Sequence, residues 1–283
     1  MPEAPLSGNW VGPIPPAKIA MLETILDAAR EQAMRDIEQE KKSDKEKEAA
    51  KRVVGQVIDQ LTATVKAGRL DGGFTVLLKP DAATLVAGGV VADGRDVDAM
   101  LKDLYKAVEA ENPLVSRWVE FDAEQYEGVR LHTISLPIPE DAKNREKTVA
   151  LIGETLEIVV GTGKNSLYVA AGRDPMTALT QAIAGSADEA ARTTVPPVRM
   201  SLAIEPLARF VAAMGEEKDR PKAAWVAEQL QDYLGKDHVR LVIMPIERGA
   251  KYRLIVEEGV LEVVGGLSTM PKGSPLPEGA RVE

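Results

Sequence analysis

The chain has 283 residues, no cysteine, two histidines and a formal charge of −9 at pH 7. Without cysteine there are no disulfides, thiolate nucleophiles, zinc ribbons or iron–sulfur clusters. The acidic balance argues against nucleic acid, whose binding rests on Lys and Arg neutralising phosphates, and the 4% of aromatic residues leaves few rings for stacking bases or sugars.

Residues 1–16 carry Pro2, Pro5, Pro13, Pro15 and Pro16, with no basic start and no apolar run, so they read as an extended leader and not as a signal peptide. Residues 17–70 read as a helical hairpin. Ile19, Leu22, Leu26, Ala29 and Ala33 recur at helical spacing, and Val54, Val57, Leu61 and Val65 resume the stripe. The charged stretch Arg35–Arg52 between them reads as a solvated tip, with Ser43 or Asp44 capping the second helix.

Residues 71–270 read as an α+β domain. Phe74, Val76 and Leu78 alternate as a strand, and Thr84–Ala92 follows as another. Val97, Met100, Leu101, Leu104 and Val108 line one face of a helix that ends before Pro113. Val115–Phe121 and Val129–Leu136 are expected strands. Leu156, Ile158 and Val160 lead to a hairpin turn at Gly161–Asn165, from which Leu167–Ala171 returns. Asp174-Pro175 opens the next helix.

Arg199–Glu205 is expected to be a strand with Met200, Leu202 and Ile204 in the core and Arg199, Ser201, Ala203 and Glu205 towards water. A helix with Leu207, Phe210, Val211 and Met214 follows, then one from about Pro221 to Leu234. Val239–Ile246, Tyr252–Val256 and Leu261–Val264 read as a three-stranded meander, and residues 271–283 as a disordered tail. Strand–link–helix recurs at Leu85–Val108, Leu167–Ile183 and Met200–Met214, with Gly-Arg-Asp in two of the links, so an internal repeat is one reading. Hairpins mixed with helices point to an antiparallel sheet with helices packed on one face.

The chain carries little recognisable chemistry. His132 and His238 are isolated, with neither histidine nor carboxylate at ligand spacing along the chain, so no metal site is expected. Gly161-Thr162-Gly163-Lys164-Asn165 fails the phosphate-loop pattern, with Ile158 where a glycine is needed and Asn165 where Ser or Thr is needed. Asp93, Asp96 and Asp98 lack the spacing of a calcium loop and read as helix-capping charges. Glu120, Asp122, Glu124 and Glu127 form an acidic cluster that only a facing pair across a cleft would turn into glycosidase chemistry. No catalytic residue, cofactor or metal is assigned, and no stretch approaches the roughly 20 apolar residues of a membrane span.

Leu85–Leu104, Gly128–Leu136, Ser166–Ile183, the run PPVRMSLAIEPLARF ending at Phe210, and Tyr252–Val264 together resemble uncharacterised exported proteins of planctomycete-type bacteria. The resemblance implies an extracytoplasmic, periplasmic or exported location. It also implies a signal peptide upstream and a length greater than 283 residues, but no catalytic residues. The expected function is therefore a non-enzymatic binding or structural module, with an apolar small molecule or a protein as partner. Its specific form is an apolar ligand site between sheet and helices. The alternative is a hydrolase using carboxylates such as Glu120 or Asp122.

Overall fold

The computed structural model describes residues 4–41, 43–190, 197–246 and 249–269. The expected tail at 271–283 lies outside them. Ten antiparallel strands form one sheet: β1 (Leu6–Trp10), β2 (Gly72–Lys79), β3 (Ala82–Val90), β4 (Val119–Tyr126), β5 (Val129–Pro137), β6 (Thr155–Thr162), β7 (Ser166–Gly172), β8 (Val198–Ala203), β9 (His238–Ile246) and β10 (Gly249–Val256). Their order is β10-β9-β8-β1-β2-β3-β7-β6-β5-β4. The fold is α+β with antiparallel pairing, as composition and patterning indicate.

The helices are α1 (Pro16–Gln39), α2 (Asp44–Lys66), α3 (Gly94–Glu111), α4 (Arg145–Ile152), α5 (Pro175–Ala190), α6 (Ile204–Met214), α7 (Arg220–Gln229) and α8 (Glu258–Thr269). Helices α1 and α2 pack antiparallel through the buried Ile37 and Ile58, flanked by the ion pairs Arg30–Asp59, Glu38–Lys51 and Glu23–Lys66. Ser43 caps α2: its hydroxyl accepts the Glu46 amide, and the Glu46 carboxylate accepts the Ser43 amide at 2.7 Å. Leu61 is 47% exposed. The apolar stripe is thus wider than the mutual interface, and part of it meets water.

Several sequence expectations are corrected. Leu6–Trp10 is no separate leader, because it forms β1 in the middle of the sheet between β2 and β8. The strand expected at Val115–Phe121 starts late: Pro113–Arg117 is a 3-10 turn capped by the Asn112 side chain, which accepts the Leu114 amide, and β4 begins only at Val119. Leu261–Val264 is helical: Val260 and Val263, spaced by three, are both buried, and Val263 packs with Trp225 and Leu230, which defeats the apparent strand pattern.

In the strand expected at Arg199–Glu205, Arg199 is exposed as expected, but the rest of the alternation does not hold and Ser201 and Leu202 are both half-buried. Met200 is 40% exposed, whereas Ala203 is buried, and Ile204 and Glu205 already belong to α6.

Helices occupy both faces of the sheet, where one was expected. Leu131 and His132 are adjacent on β5 and so point to opposite faces. Leu131 packs with Val86, Val159 and Ala170 against Leu179 and Ile183 of α5. His132 meets Asp98 of α3 on the other side.

The two Gly-Arg-Asp links that feed these helices differ in construction. Gly94 lies against the β6–β7 turn, where a Cβ would come within 1.8 Å of the Gly163 carbonyl oxygen. Gly172 takes φ 121° beside Ala83, and Asp174 takes φ 50° before α5 begins at Pro175. One link turns its helix onto the His132 face and the other onto the Leu131 face.

Candidate functional site

Two features of the His132 face stand out. The first is its apolar character. The strand register aligns Leu254, Leu241, Met200, Gly8, Phe74, Ala87, Val169, Val160 and His132 in one row across nine strands. The next rows run Tyr252–Ile243–Val198–Trp10 and Val256–Val239–Leu202–Leu6–Val76–Leu85. From β10 to β6 these rows contain no charged side chain. Tyr252 is 67% exposed and Leu254 65%, with Met200, Leu85 and Val169 also exposed. Strands about 4.8 Å apart make the seven-strand stretch from β10 to β7 roughly 29 Å wide. Exposed apolar side chains thus recur along that width, with half-buried Leu241, Phe74 and Ala87 between them, beyond the singly scattered apolar residues of an ordinary surface.

The second feature closes the row at its far end. His132 is only 2% exposed, and Asp98 of α3 is also buried. The backbone N–H of Asp122 donates to His132 Nδ1 at 3.0 Å, which assigns the ring proton of neutral His132 to Nε2. Nε2 faces Asp98 Oδ1 at 3.0 Å and Thr162 Oγ1 at 3.3 Å.

Asp122 lies in a register break of β4 between Glu120 and Glu124 and takes φ 54°. Lys102 Nζ bridges the two carboxylates, 3.3 Å from Asp98 and 3.0 Å from Asp122. Arg130 adds a contact of 3.1 Å to Asp98. Burial pushes His132 below its ordinary pKa, against the opposing pull of Asp98 and Asp122. The Lys102 hydrogen bond holds the Asp122 carboxyl below the usual range, and Asp122 in turn raises the Lys102 ammonium.

Asp98, Asp122 and His132 lie close enough together to be tested as a metal cage. They fit a hydrogen-bonded network better. The two carboxylates address opposite nitrogens of one ring, and the ammonium of Lys102 already stands between them as their cation.

His238 is the second correction to the sequence reading of isolated histidines. Its Nδ1 lies 3.1 Å from Asp237 and 3.4 Å from Glu257, and its amide donates to Glu257 at 2.9 Å. Burial acts to raise Glu257, but the His238 amide and Arg240 overcome it and hold the carboxyl low. Asp237 accepts the Ile204 and Glu205 amides and so caps α6 from a distant loop.

The other nominated carboxylates disperse. Glu120, Glu124 and Glu127 are exposed, and only Asp122 turns to a defined partner set. Asp93 caps α3 through the Arg95 amide, and its side-chain bond to Arg95 lowers the carboxyl to about 2. Gly161–Asn165 forms the β6–β7 turn. The link between Asp98 and His132 had no signal in the sequence, because it joins a helix and a strand through tertiary packing alone.

No family model, curated protein or solved structure matches the chain. The site is therefore read from its own geometry.

Proposed function

We propose that this chain is a non-enzymatic extracytoplasmic binding module whose working surface is the open apolar face of the sheet. The carrying observation is the charge-free set of rows from β10 to β6, with Leu85, Val169, Met200, Tyr252 and Leu254 exposed to water. Such a surface is costly to leave wet, at about 25 cal/mol per Å² of apolar area, and an apolar small molecule laid across the strands relieves that cost. The resemblance to exported proteins supports the location.

The carboxylates favour binding over hydrolysis. Asp93, Asp122 and Glu257 are all held below their ordinary values by donors, the opposite of a carboxyl kept protonated as a general acid.

The test is titration with an apolar fluorophore such as N-phenyl-1-naphthylamine, beside native mass spectrometry of the purified protein for retained apolar molecules. Met200→Asp and Leu254→Asp are expected to weaken probe binding by about tenfold or more while leaving the fold intact, since both side chains already meet water. Unchanged probe binding in both variants would overturn the reading.

A further inference from the structure

We propose that His132 is a proton-operated latch that fastens the edge strand β4 to α3, and that protonating its ring in mild acid releases the Asp122 bulge. The neutral ring is engaged at both nitrogens, accepting the Asp122 amide at Nδ1 and hydrogen-bonded to Thr162 Oγ1 through Nε2, with the buried Asp98 Oδ1 3.0 Å from Nε2. Protonation places an N–H at Nδ1 directly against the Asp122 N–H, donor against donor, so that bond cannot survive.

Asp122 offers the alternative partner itself. Its carboxylate Oδ1 already lies 3.9 Å from the same Nδ1. Turning the bulge exchanges an amide donor for a carboxylate acceptor, and a non-glycine residue at φ 54° leaves its backbone conformation readily.

The surrounding charges leave no slack for an added proton. Asp98 and Lys102 face the ring region from α3, Asp122 from β4 and Arg130 from β5, while Thr162 and Phe121 are uncharged. Two carboxylates balance two cations, so a buried imidazolium is surplus charge that movement must relieve. Burial keeps the titration in the acid range.

The same bulge contributes contacts to α3. Asp122 binds Lys102, and Phe121 sits edge-on to both Tyr105 of α3 and His132. Release of the bulge thus loosens the helix that covers the closed end of the apolar row. This last consequence, widening of the apolar face in acid, rests on the binding reading above; the latch itself does not.

Hydrogen exchange of the full chain at about pH 7.5 and about pH 5.5, corrected for intrinsic rates, tests the latch. Amides of residues 119–126 are expected to lose roughly tenfold protection at the lower pH, and to show no such dependence in His132→Gln, whose side chain can still accept a bond. Equal protection at both pH values in the wild type, or the same loss in the variant, would overturn the proposal.

Nitrogen NMR of the wild type gives an answer even if the variant misfolds, because His132 and His238 are the only imidazoles. An Nε2–H tautomer of His132 at neutral pH is expected, and an Nδ1–H tautomer overturns the latch. Probe affinity that ignores pH while β4 opens would remove the link to the apolar face and leave the latch standing.

Discussion

The two ends of the sheet are built from equally apolar strands and are treated differently by the helices. Around β3, β7, β6 and β5, α5 seals one face, and α3 packs on β6 and β7 at the other. Around β8, β9 and β10, the face that continues the α3 side carries Met200, Leu241, Ile243, Tyr252 and Leu254 and stays open to water at Met200, Tyr252 and Leu254. Alternation along a strand shows that one face is apolar. Whether anything covers that face is decided elsewhere in the chain.

The largest expected contrast lies between the two ends. Leu131→Asp should abolish cooperative folding, since an unpaired carboxylate would sit in a side-chain position with no exposure. Leu179→Ala, also fully buried, should cost about 2–5 kcal/mol in urea denaturation. Met200→Asp should shift the same transition by less than about 1 kcal/mol. A comparable loss at Met200 would mean that the open end is covered after all.

The helical pair repeats the contrast on a smaller scale. Ile58→Ala should cost about 2–5 kcal/mol, and Leu61→Ala, 47% exposed, less than about 1. Equal effects would place both residues in one interface.

Acid should weaken the closed end in two stages. The folded pKa of His132 lies below its ordinary value near 6.5, so its contribution is present above that value and is lost as pH falls. Asp122 is also depressed, so its contribution persists to lower pH and disappears below the ordinary carboxylate range. Thermal unfolding against pH should show both stages, and His132→Gln should remove only the upper one. Ser43→Ala should have the smallest effect, about 1 kcal/mol for the loss of a cap at an exposed helix start.

Sequence reading reached most strands, the helices with clean 3.6-residue stripes, and the caps at Ser43 and Asp93. It failed where tertiary context supplied the signal. Leu6–Trp10 is short and flanked by prolines, so its alternation of Leu6, Gly8 and Trp10 was too slight to mark a central strand. Val260 and Val263 share a run with Leu261 and Val264 that suits either period, and packing on Trp225 selects the helix. The His132 network needed β4, β5, β6 and α3 to assemble first, and no local spacing encodes that.

The position of β1 bears on how the chain reaches this state. One edge of β1 pairs with β2, but the other pairs with β8, so Leu6 opposes Leu202, 196 positions further along the chain. During synthesis β1 emerges long before β8. Until β8 arrives, the β1 edge stands as an unpaired template beside apolar side chains, a period in which strand-edge association with another chain competes with closure. Joining the two ends of the sheet through its earliest segment makes assembly late, non-local and slow.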